Sequence, residues 1–124
     1  MNVAVCKAIK IAEEDNTVKV VLFHGGKFFS AGNDLAILTA GAGDEKEVQK
    51  ARMIEGITSM KDTLMAWITC SKPVVAVVRG GAHGIGFTTL AHMDFIYCGP
   101  DAYFQTPFMK SFQSPEGGSM LTFP

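Results

Sequence analysis

The sequence lacks the residue groupings that mark a metal centre or a disulfide-linked domain. It has three widely separated cysteines, Cys6, Cys70 and Cys98, and no C-x-x-C pair. The histidines do not stand at zinc-ligand offsets from these cysteines. We therefore expect no metal site, and we interpret the cysteines as reduced side chains packed like small apolar residues.

Long hydrophobic runs and an excess of positive charge are missing as well. No apolar stretch approaches the ~20 residues needed to cross a bilayer. The formal net charge is −1, and no basic cluster favours nucleic acid or an anionic membrane. Residues 1–15 mix lysines and acids with apolar positions, which is typical of a helix rather than a signal peptide. We predict no nucleic-acid partner, no membrane span and no targeting signal within this chain.

What the sequence does contain is apolar material for a core, in alternating helical and strand-like segments. The pattern predicts helices over 2–14, about 45–69 and 87–93, a short helical turn ending at 38, a loop over 39–44, strands over 18–23, 74–78, 95–98 and 102–106, and a turn into a helix after 114–118. The first two strands are expected to be buried on both faces. This order of elements favours an α/β fold with parallel strands.

The long second helix carries an apolar stripe at i, i+3, i+4 spacing. Its members are Val48, Ala51, Ile54, Ile57, Met60, Leu64 and Ile68. Such a stripe predicts one buried helix face, and Gly56 predicts a local disturbance of the helix.

Two junctions between a strand and a helix are rich in small residues. The first is FFSAGNDL, from Phe28 to Leu35, and the second is GGAHGIG, from Gly80 to Gly86. A helix start leaves backbone N–H groups unpaired, and small residues let a ligand oxygen approach them. If the junctions lie side by side, they could aim two N–H donors at one oxygen and form an oxyanion hole. Tight turns and close packing are the alternative explanation of these glycines.

Other uses of glycine-rich segments fit poorly. A dinucleotide-binding G-x-G-x-x-G is absent because Gly84-Ile85-Gly86 is followed by Thr89, and no acidic residue stands clearly about 20 positions further on. The G-x-S-x-G of serine hydrolases does not occur either. Gly25-Gly26-Lys27 lacks the spacing of a phosphate-binding P-loop.

Three segments carry a resemblance to a known family: HGGKFFSAGNDL from His24, VAVVRGGAHGIGFTTLAHMD from Val75 and FQTPFMKSFQSPEGGSMLTFP from Phe104. Together they resemble the crotonase (enoyl-CoA hydratase/isomerase) superfamily, most closely its peroxisomal-type Δ3,Δ2-enoyl-CoA isomerase branch. The resemblance implies a crotonase-like spiral of ββα units. Residues 1–124 would then be a partial domain, its N-terminal core portion, with the first strand and the C-terminal helical part missing.

The resemblance also implies roles for particular residues. It places the backbone N–H groups of Asn33 and Ile85 in the oxyanion hole and makes Glu116 the catalytic acid–base group. The two glutamates of the hydratases correspond to Thr88 and Phe108, which cannot transfer protons in that role, so hydration is disfavoured. The residues matched to the coenzyme A-binding segments are Ser30, Ala31, Gly32, Asn33, Asp34, Leu35, Gly84 and Ile85.

Several of these residues keep alternative interpretations. Asp34 is equally well explained as a helix N-cap or first-turn acid, and Glu116 as a solvated loop acid. Phe108 and Phe112 are expected to line the acyl pocket and to raise the pKa of Glu116, or else to be ordinary core residues. His83 is a candidate for ligand contact, and the expected role of His92 is structural.

The function predicted from the resemblance is isomerisation of an unsaturated fatty acyl-CoA by a 1,3-proton shift. It would need no cofactor besides the coenzyme A of the substrate, in a peroxisome or a mitochondrion, with a homotrimeric full-length parent. The alternative is a non-catalytic acyl-CoA-binding or interaction module, like the corepressor-type crotonase-like domains. Because a short chain buries little surface against its conformational entropy, we expect the isolated chain to be weakly active or inactive.

Overall fold

The computed structural model describes residues 2–33 and 45–123, and its elements follow the α/β order expected from the sequence. The helices are α1 (Asn2–Glu14), α2 (Lys46–Ile68), α3 (Ile85–Thr88), a 3-10 helix (Thr89–His92) and α4 (Ser119–Thr122). The strands are β1 (Val21–His24), β2 (Val74–Val78), β3 (Gly81–His83), β4 (Phe95–Cys98) and β5 (Tyr103–Gln105). The predicted helical turn ending at 38 and the loop over 39–44 lie outside the described residues.

Two small parallel sheets organise the chain. The first has the order β1-β2-β4, and the second pairs β3 with β5. In the first sheet Val21 lies opposite Val74 and Val75 lies opposite Phe95. The prediction of parallel pairing is therefore confirmed. Because β2 is the central strand and alternates fully and partly buried positions, its prediction as a buried strand is also confirmed.

The first strand is shorter and less buried than predicted. Val18–Val20 do not join the sheet, because pairing begins where the Val21 N–H donates to the carbonyl of Pro73 at 2.9 Å. Along β1 half-buried and exposed residues alternate, and Leu22 is 57 % exposed. The prediction of a strand buried on both faces is wrong here, since among the described residues β1 is an edge strand.

The predicted burial of the apolar stripe on α2 is wrong as well. The fully buried residues of α2 are Thr63 and Trp67, whereas Ile57 is 62 % exposed. The reason is that α2 meets its neighbours near its C-terminal end, where the Trp67 ring packs on Phe23 with centroids 4.0 Å apart. Gly56 does not interrupt the helix, because a mid-helix glycine costs only about 1 kcal/mol.

The apolar core has two parts that meet at Met93. One contains Ile9, Trp67 and Val74, and it joins α1 and α2 to the start of β2. The other contains Ala76, Val78, Ala82 and Leu90, and it lies beneath the two glycine-rich junctions. The second part fixes the sheet end from which the candidate site is built.

The second junction is more regular than the predicted glycine-rich turn over 80–86. Gly81–His83 forms β3 because its backbone pairs with β5 on one side and meets Ser30 on the other. The helix predicted over 87–93 begins earlier, at Ile85, and tightens into a 3-10 helix from Thr89. The helix expected after the turn at 114–118 is found as α4.

Candidate active site

The two glycine-rich junctions lie side by side. The N–H groups of Phe29 and Ser30 donate to the Gly81 carbonyl at 3.1 Å, and the His83 N–H donates back to the Ser30 carbonyl at 3.0 Å. Through these hydrogen bonds the first junction runs beside β3. The arrangement that the oxyanion-hole hypothesis requires of the two junctions is thus present.

Small residues permit this close approach. A Cβ added to Gly32 would lie 3.0 Å from the His83 carbonyl oxygen, and Gly32 has φ 89°. A Cβ added to Gly86 would lie 2.3 Å from the Ser30 side chain. Larger side chains at either glycine would push the junctions apart, so these glycines serve close packing whether or not a ligand binds.

The start of α3 supplies an N–H group without a helical partner. Gly84 is the N-cap of α3, and its carbonyl accepts the N–H groups of Phe87 and Thr88 at 2.9 and 3.0 Å. The Ile85 N–H belongs to the first helical turn and has no partner within α3. The Glu116 carboxyl lies beside this start of the helix, since a Cβ added to Gly84 would be 3.6 Å from Glu116 Oε1. The second predicted hole donor therefore lies near the predicted catalytic carboxyl.

Glu116 is brought to the two junctions by a tight turn. The Ser119 N–H donates to the Glu116 carbonyl at 3.2 Å, and Gly117 and Gly118 between them have φ 67° and 75°. Two consecutive positive φ values are typical of a type I′ turn, which favours glycine at both central positions. The turn holds the half-buried Glu116 side chain against the start of α3.

The first junction contacts the same carboxyl group through a side chain. The Asn33 Nδ2 amide donates to Glu116 Oε2 at 3.4 Å. Asn33 and Ile85 thus both lie beside Glu116, one from each junction. Convergence of their two backbone N–H groups on one ligand oxygen stays a prediction.

Burial raises the pKa of Glu116 above its ordinary value of 4.5. The nearby backbone N–H of Ile85 lowers the pKa, because it stabilises the ionised form. A carboxyl group with a raised pKa is better able to accept and return a proton near neutral pH. This property distinguishes Glu116 from a solvated loop acid, the alternative left open by the sequence.

The other residues predicted to bind coenzyme A differ in burial, and two of them lie outside the described residues. Ser30 is partly buried and its Oγ accepts the Gly32 N–H at 3.2 Å, whereas Ala31 is exposed. Asp34 and Leu35 lie outside the described residues, so their predicted contact with coenzyme A stays a prediction.

The two phenylalanines expected near Glu116 differ in burial. Phe108 is partly buried, but Phe112 is 98 % exposed, with φ 53°. The expectation that Phe112 desolvates Glu116 is wrong, as is its alternative role as a core residue, because an exposed ring displaces little water from a neighbouring group. A place in the acyl pocket stays a prediction for Phe108 and Phe112.

The histidines near the site are partly buried. The His83 ring meets the Tyr103 ring edge to face at 5.3 Å, and its Nε2 is buried without a hydrogen-bond partner. A ligand contact at His83 stays a prediction. His92 Nε2 lies 2.7 Å from the Gly117 carbonyl oxygen, in the turn that carries Glu116. The expected structural role of His92 did not include this contact, which joins residues 25 positions apart in the chain.

Comparison with known proteins shows the family. The family model described as Enoyl-CoA hydratase/isomerase matches residues 3–124. The chain belongs to this family. Its fold is the crotonase fold, since a solved enoyl-CoA hydratase from Polaromonas sp. JS666 matches 98 % of this chain and 46 % of its own chain, with a TM-score of 0.85 and 29 % identity.

Proteins with different names are similar in sequence to this chain. Enoyl-CoA delta isomerase 2 of Rattus norvegicus is 38 % identical over 94 % of this chain and 29 % of its own length. Enoyl-CoA delta isomerase 3, peroxisomal, of Mus musculus is 36 % identical over 100 % of this chain and 38 % of its own length. Chromodomain Y-like protein of Homo sapiens is 31 % identical over 94 % of this chain and 19 % of its own length. The chain therefore spans well under half the length of these relatives.

Two further findings concern the described residues as a whole. None of the helices within 2–33 and 45–123 has the length and apolar character that crossing a bilayer requires. The same ranges bring together no group of three side chains suited to hold a metal ion.

Proposed function

We propose that this site belongs to an enoyl-CoA isomerase that moves a double bond from position 3 to position 2 of an unsaturated fatty acyl-CoA. The observation that carries the proposal is the position of Glu116, a half-buried carboxyl group that accepts the Asn33 Nδ2 amide at 3.4 Å and lies beside the start of α3. Burial also raises its pKa. An acid–base group beside backbone N–H donors is what a proton shift next to a thioester requires.

The reaction follows from these groups. The thioester oxygen accepts the Ile85 N–H and the Asn33 N–H, and donors of this kind are worth roughly 3–4 kcal/mol each in a transition state. They stabilise the enolate that forms when Glu116 removes a proton from C2. The protonated Glu116 then returns that proton to C4, and the double bond moves to position 2. No electrons leave the substrate, so the reaction needs no cofactor beyond the coenzyme A that the substrate carries.

Isomerisation is favoured over hydration by two side chains. Thr88 and Phe108 stand where the resemblance places the two hydratase glutamates, and neither can activate water as a carboxylate would. Among the described residues, Glu116 is the carboxyl that the resemblance assigns to proton transfer, and one such group suffices for a proton shift.

Location and assembly are part of the proposal. The name of the mouse relative supports a peroxisomal location, with a mitochondrial one as the alternative. A homotrimeric assembly rests on the family resemblance alone.

The test is exchange of the C2 protons of a saturated acyl-CoA with D2O, followed by ¹H NMR. Exchange needs the hole and the base but not the return of the proton to C4, so it tests the first step of the reaction alone. We expect Glu116-dependent exchange that falls at least about 100-fold in Glu116→Gln, since a positioned acid–base group contributes roughly 10²- to 10⁴-fold.

The control for this test is acyl-CoA binding, measured by calorimetry on the same two proteins. Binding should persist in Glu116→Gln, whose side chain keeps its size and hydrogen-bonding capacity. Equal exchange in both proteins would remove Glu116 from the mechanism, and a chain that binds acyl-CoA but exchanges no C2 protons would contradict the proposal.

A second candidate is a non-catalytic acyl-CoA-binding module. It is favoured by the similarity to a human protein named Chromodomain Y-like protein, which extends over 94 % of this chain. The two candidates separate in the same experiment, because a binding module binds acyl-CoA with equal affinity in both variants and exchanges C2 protons in neither.

A further inference from the structure

His92 connects the end of the 3-10 helix to the turn that carries Glu116. Its Nε2 atom lies 2.7 Å from the Gly117 carbonyl oxygen, in a partly buried position. Because a carbonyl oxygen can only accept, the imidazole must carry a proton on Nε2. The ring also lies against the next residue, since a Cβ added to Gly118 would be 3.4 Å from His92 Cε1.

A second residue of the same helical segment closes the other side of the turn. Thr88 is fully buried, and a Cβ added to Gly117 would lie 2.2 Å from its Oγ1. The contacts of Thr88 with Gly117 and of His92 with Gly117 and Gly118 place both side chains against the turn. Thr88 packs against the turn, whereas His92 forms a directional hydrogen bond with it.

The turn needs such a bond because its central residues are glycines. Gly117 and Gly118 adopt φ 67° and 75°, but glycine also populates other conformations readily. Rotation of the peptide between them would move the Glu116 side chain away from the Ile85 N–H. The His92 hydrogen bond fixes the carbonyl of that same peptide and so selects one conformation.

We propose that His92 is a positioning residue, which holds the Glu116 carboxyl at the start of α3 through the Gly117 carbonyl. Its effect on catalysis rests on the proposed function, whereas its effect on the carboxyl position does not. The bond leaves the Glu116 carboxyl oxygens free for proton transfer. His92 therefore acts on the reaction without touching the substrate.

Two substitutions separate the hydrogen bond from the packing of the ring. His92→Phe keeps an aromatic ring against Gly118 but has no donor. His92→Gln places an amide N–H near the position of Nε2. His92→Asn carries the same amide on a shorter side chain that does not reach Gly117, so the Gln and Asn variants form a matched pair if the Phe variant fails to fold.

The first readout is the titration of the Glu116 carboxyl, followed by ¹³C NMR in chain labelled at glutamate. Glu116→Gln identifies the resonance. In the unchanged chain the apparent pKa should lie above 4.5, because burial raises it. It should fall toward 4.5 in His92→Phe and His92→Asn as the carboxyl moves into water, and it should stay raised in His92→Gln.

The second readout is the kinetics of C2 proton exchange with acyl-CoA. We expect kcat to fall roughly tenfold in His92→Phe and His92→Asn, a part of the 10²- to 10⁴-fold that a positioned base contributes. KM should stay within about twofold, because His92 does not contact the substrate. The Gln variant should recover most of the lost rate.

A control substitution is available at another histidine. His24→Phe changes an exposed residue whose Nδ1 atom lies 3.2 Å from the adjacent Gly25 carbonyl oxygen, and it should alter neither readout. An unchanged Glu116 titration in folded His92→Phe, or equal behaviour of the Gln and Asn variants, would overturn the inference. Absence of exchange in the unchanged chain, with the titration shifts intact, would reject the proposed function and leave the positioning role standing.

Discussion

Glu116, the proposed acid–base group, occupies a position that is unfavourable for folding at neutral pH. Its carboxyl is half-buried and its pKa is raised by burial. Ionisation in that position is less favourable than in the unfolded chain, where the carboxyl is fully hydrated. The protonation equilibrium that suits a general base therefore costs stability at neutral pH.

This trade-off predicts a pH-dependent effect of Glu116→Gln. Because the folded-state pKa of Glu116 is raised, its contribution to stability is fully present below the ordinary pKa of 4.5. That contribution is lost as the pH rises through the folded-state pKa. The neutral amide cannot lose stability in this way. We expect the variant to melt a few degrees above the unchanged chain at pH 7 and at nearly the same temperature near pH 4, by circular dichroism. A variant that melts lower at pH 7 would show that Glu116 stabilises the turn when ionised.

At the scale of elements, α1 is attached to the loop between α2 and β2 by Glu13. Its Oε1 accepts the Ser71 hydroxyl at 2.5 Å, and its Oε2 accepts the Ser71 N–H at 3.1 Å. These hydrogen bonds lower the pKa of Glu13. Nearby, Lys72 Nζ donates to the carbonyls of Ala12 and Asp15 at the C-terminal end of α1, where a cation is favourable.

Loss of the Glu13 carboxylate should therefore loosen α1 in a pH-dependent way. Because the folded-state pKa of Glu13 is lowered, its contribution to stability is present above the ordinary pKa of 4.5. That contribution is lost as the pH falls through the folded-state pKa. We expect Glu13→Ala to lower the melting temperature at pH 7 and to differ less from the unchanged chain at pH 3. Glu14→Ala, on the adjacent exposed position, serves as the control and should have little effect at either pH.

The elements also show where sequence patterns suffice and where they fail. The β2 strand was predictable because four valines in five residues favour a strand, and its burial follows from its central place between β1 and β4. The buried face of α2 was not, because periodicity locates a stripe but not the neighbours that cover it. Strand β3 has no alternating pattern at all, since Gly81-Ala82-His83 is a strand only through its pairing with β5 and Ser30.

In the candidate site, too, some features could be predicted from the sequence and others could not. Glu116 and the two glycine-rich junctions were identifiable through their resemblance to family motifs, and the pairing of the junctions follows from parallel strands ending at one edge. The contact between His92 and Gly117 joins residues 25 positions apart in the chain. No local sequence pattern predicts this contact, because the contact depends on the path of the chain from the 3-10 helix through β4 and β5 to the Glu116 turn.

At the scale of the whole molecule, many large apolar side chains are exposed. Those on α2 include Met53, Ile54 and Ile57, those on β4 are Phe95, Ile96 and Tyr97, and others are Met109, Phe112, Met120 and Leu121. Exposed apolar area of this extent is unusual for a monomeric domain. It is consistent with a chain whose relatives are considerably longer.

This exposure predicts strong binding of the dye ANS to the folded chain. The double variant Ile54→Lys, Ile57→Glu should reduce the dye fluorescence, because both residues are largely exposed and lie three apart on α2. It should change the free energy of unfolding by no more than about 0.5 kcal/mol per site, as is usual for surface substitutions. A large loss of stability, measured by urea unfolding, would show that this part of α2 is buried in solution.

The contact between Thr88 and Gly117 limits how this protein can change its chemistry. A Cβ added to Gly117 would lie 2.2 Å from Thr88 Oγ1, so the threonine and the Glu116 turn are already in close contact. A longer side chain at position 88, such as a glutamate, would need the turn to shift. Under the proposed function, a hydratase-type carboxylate at this position would therefore displace the proposed catalytic carboxyl.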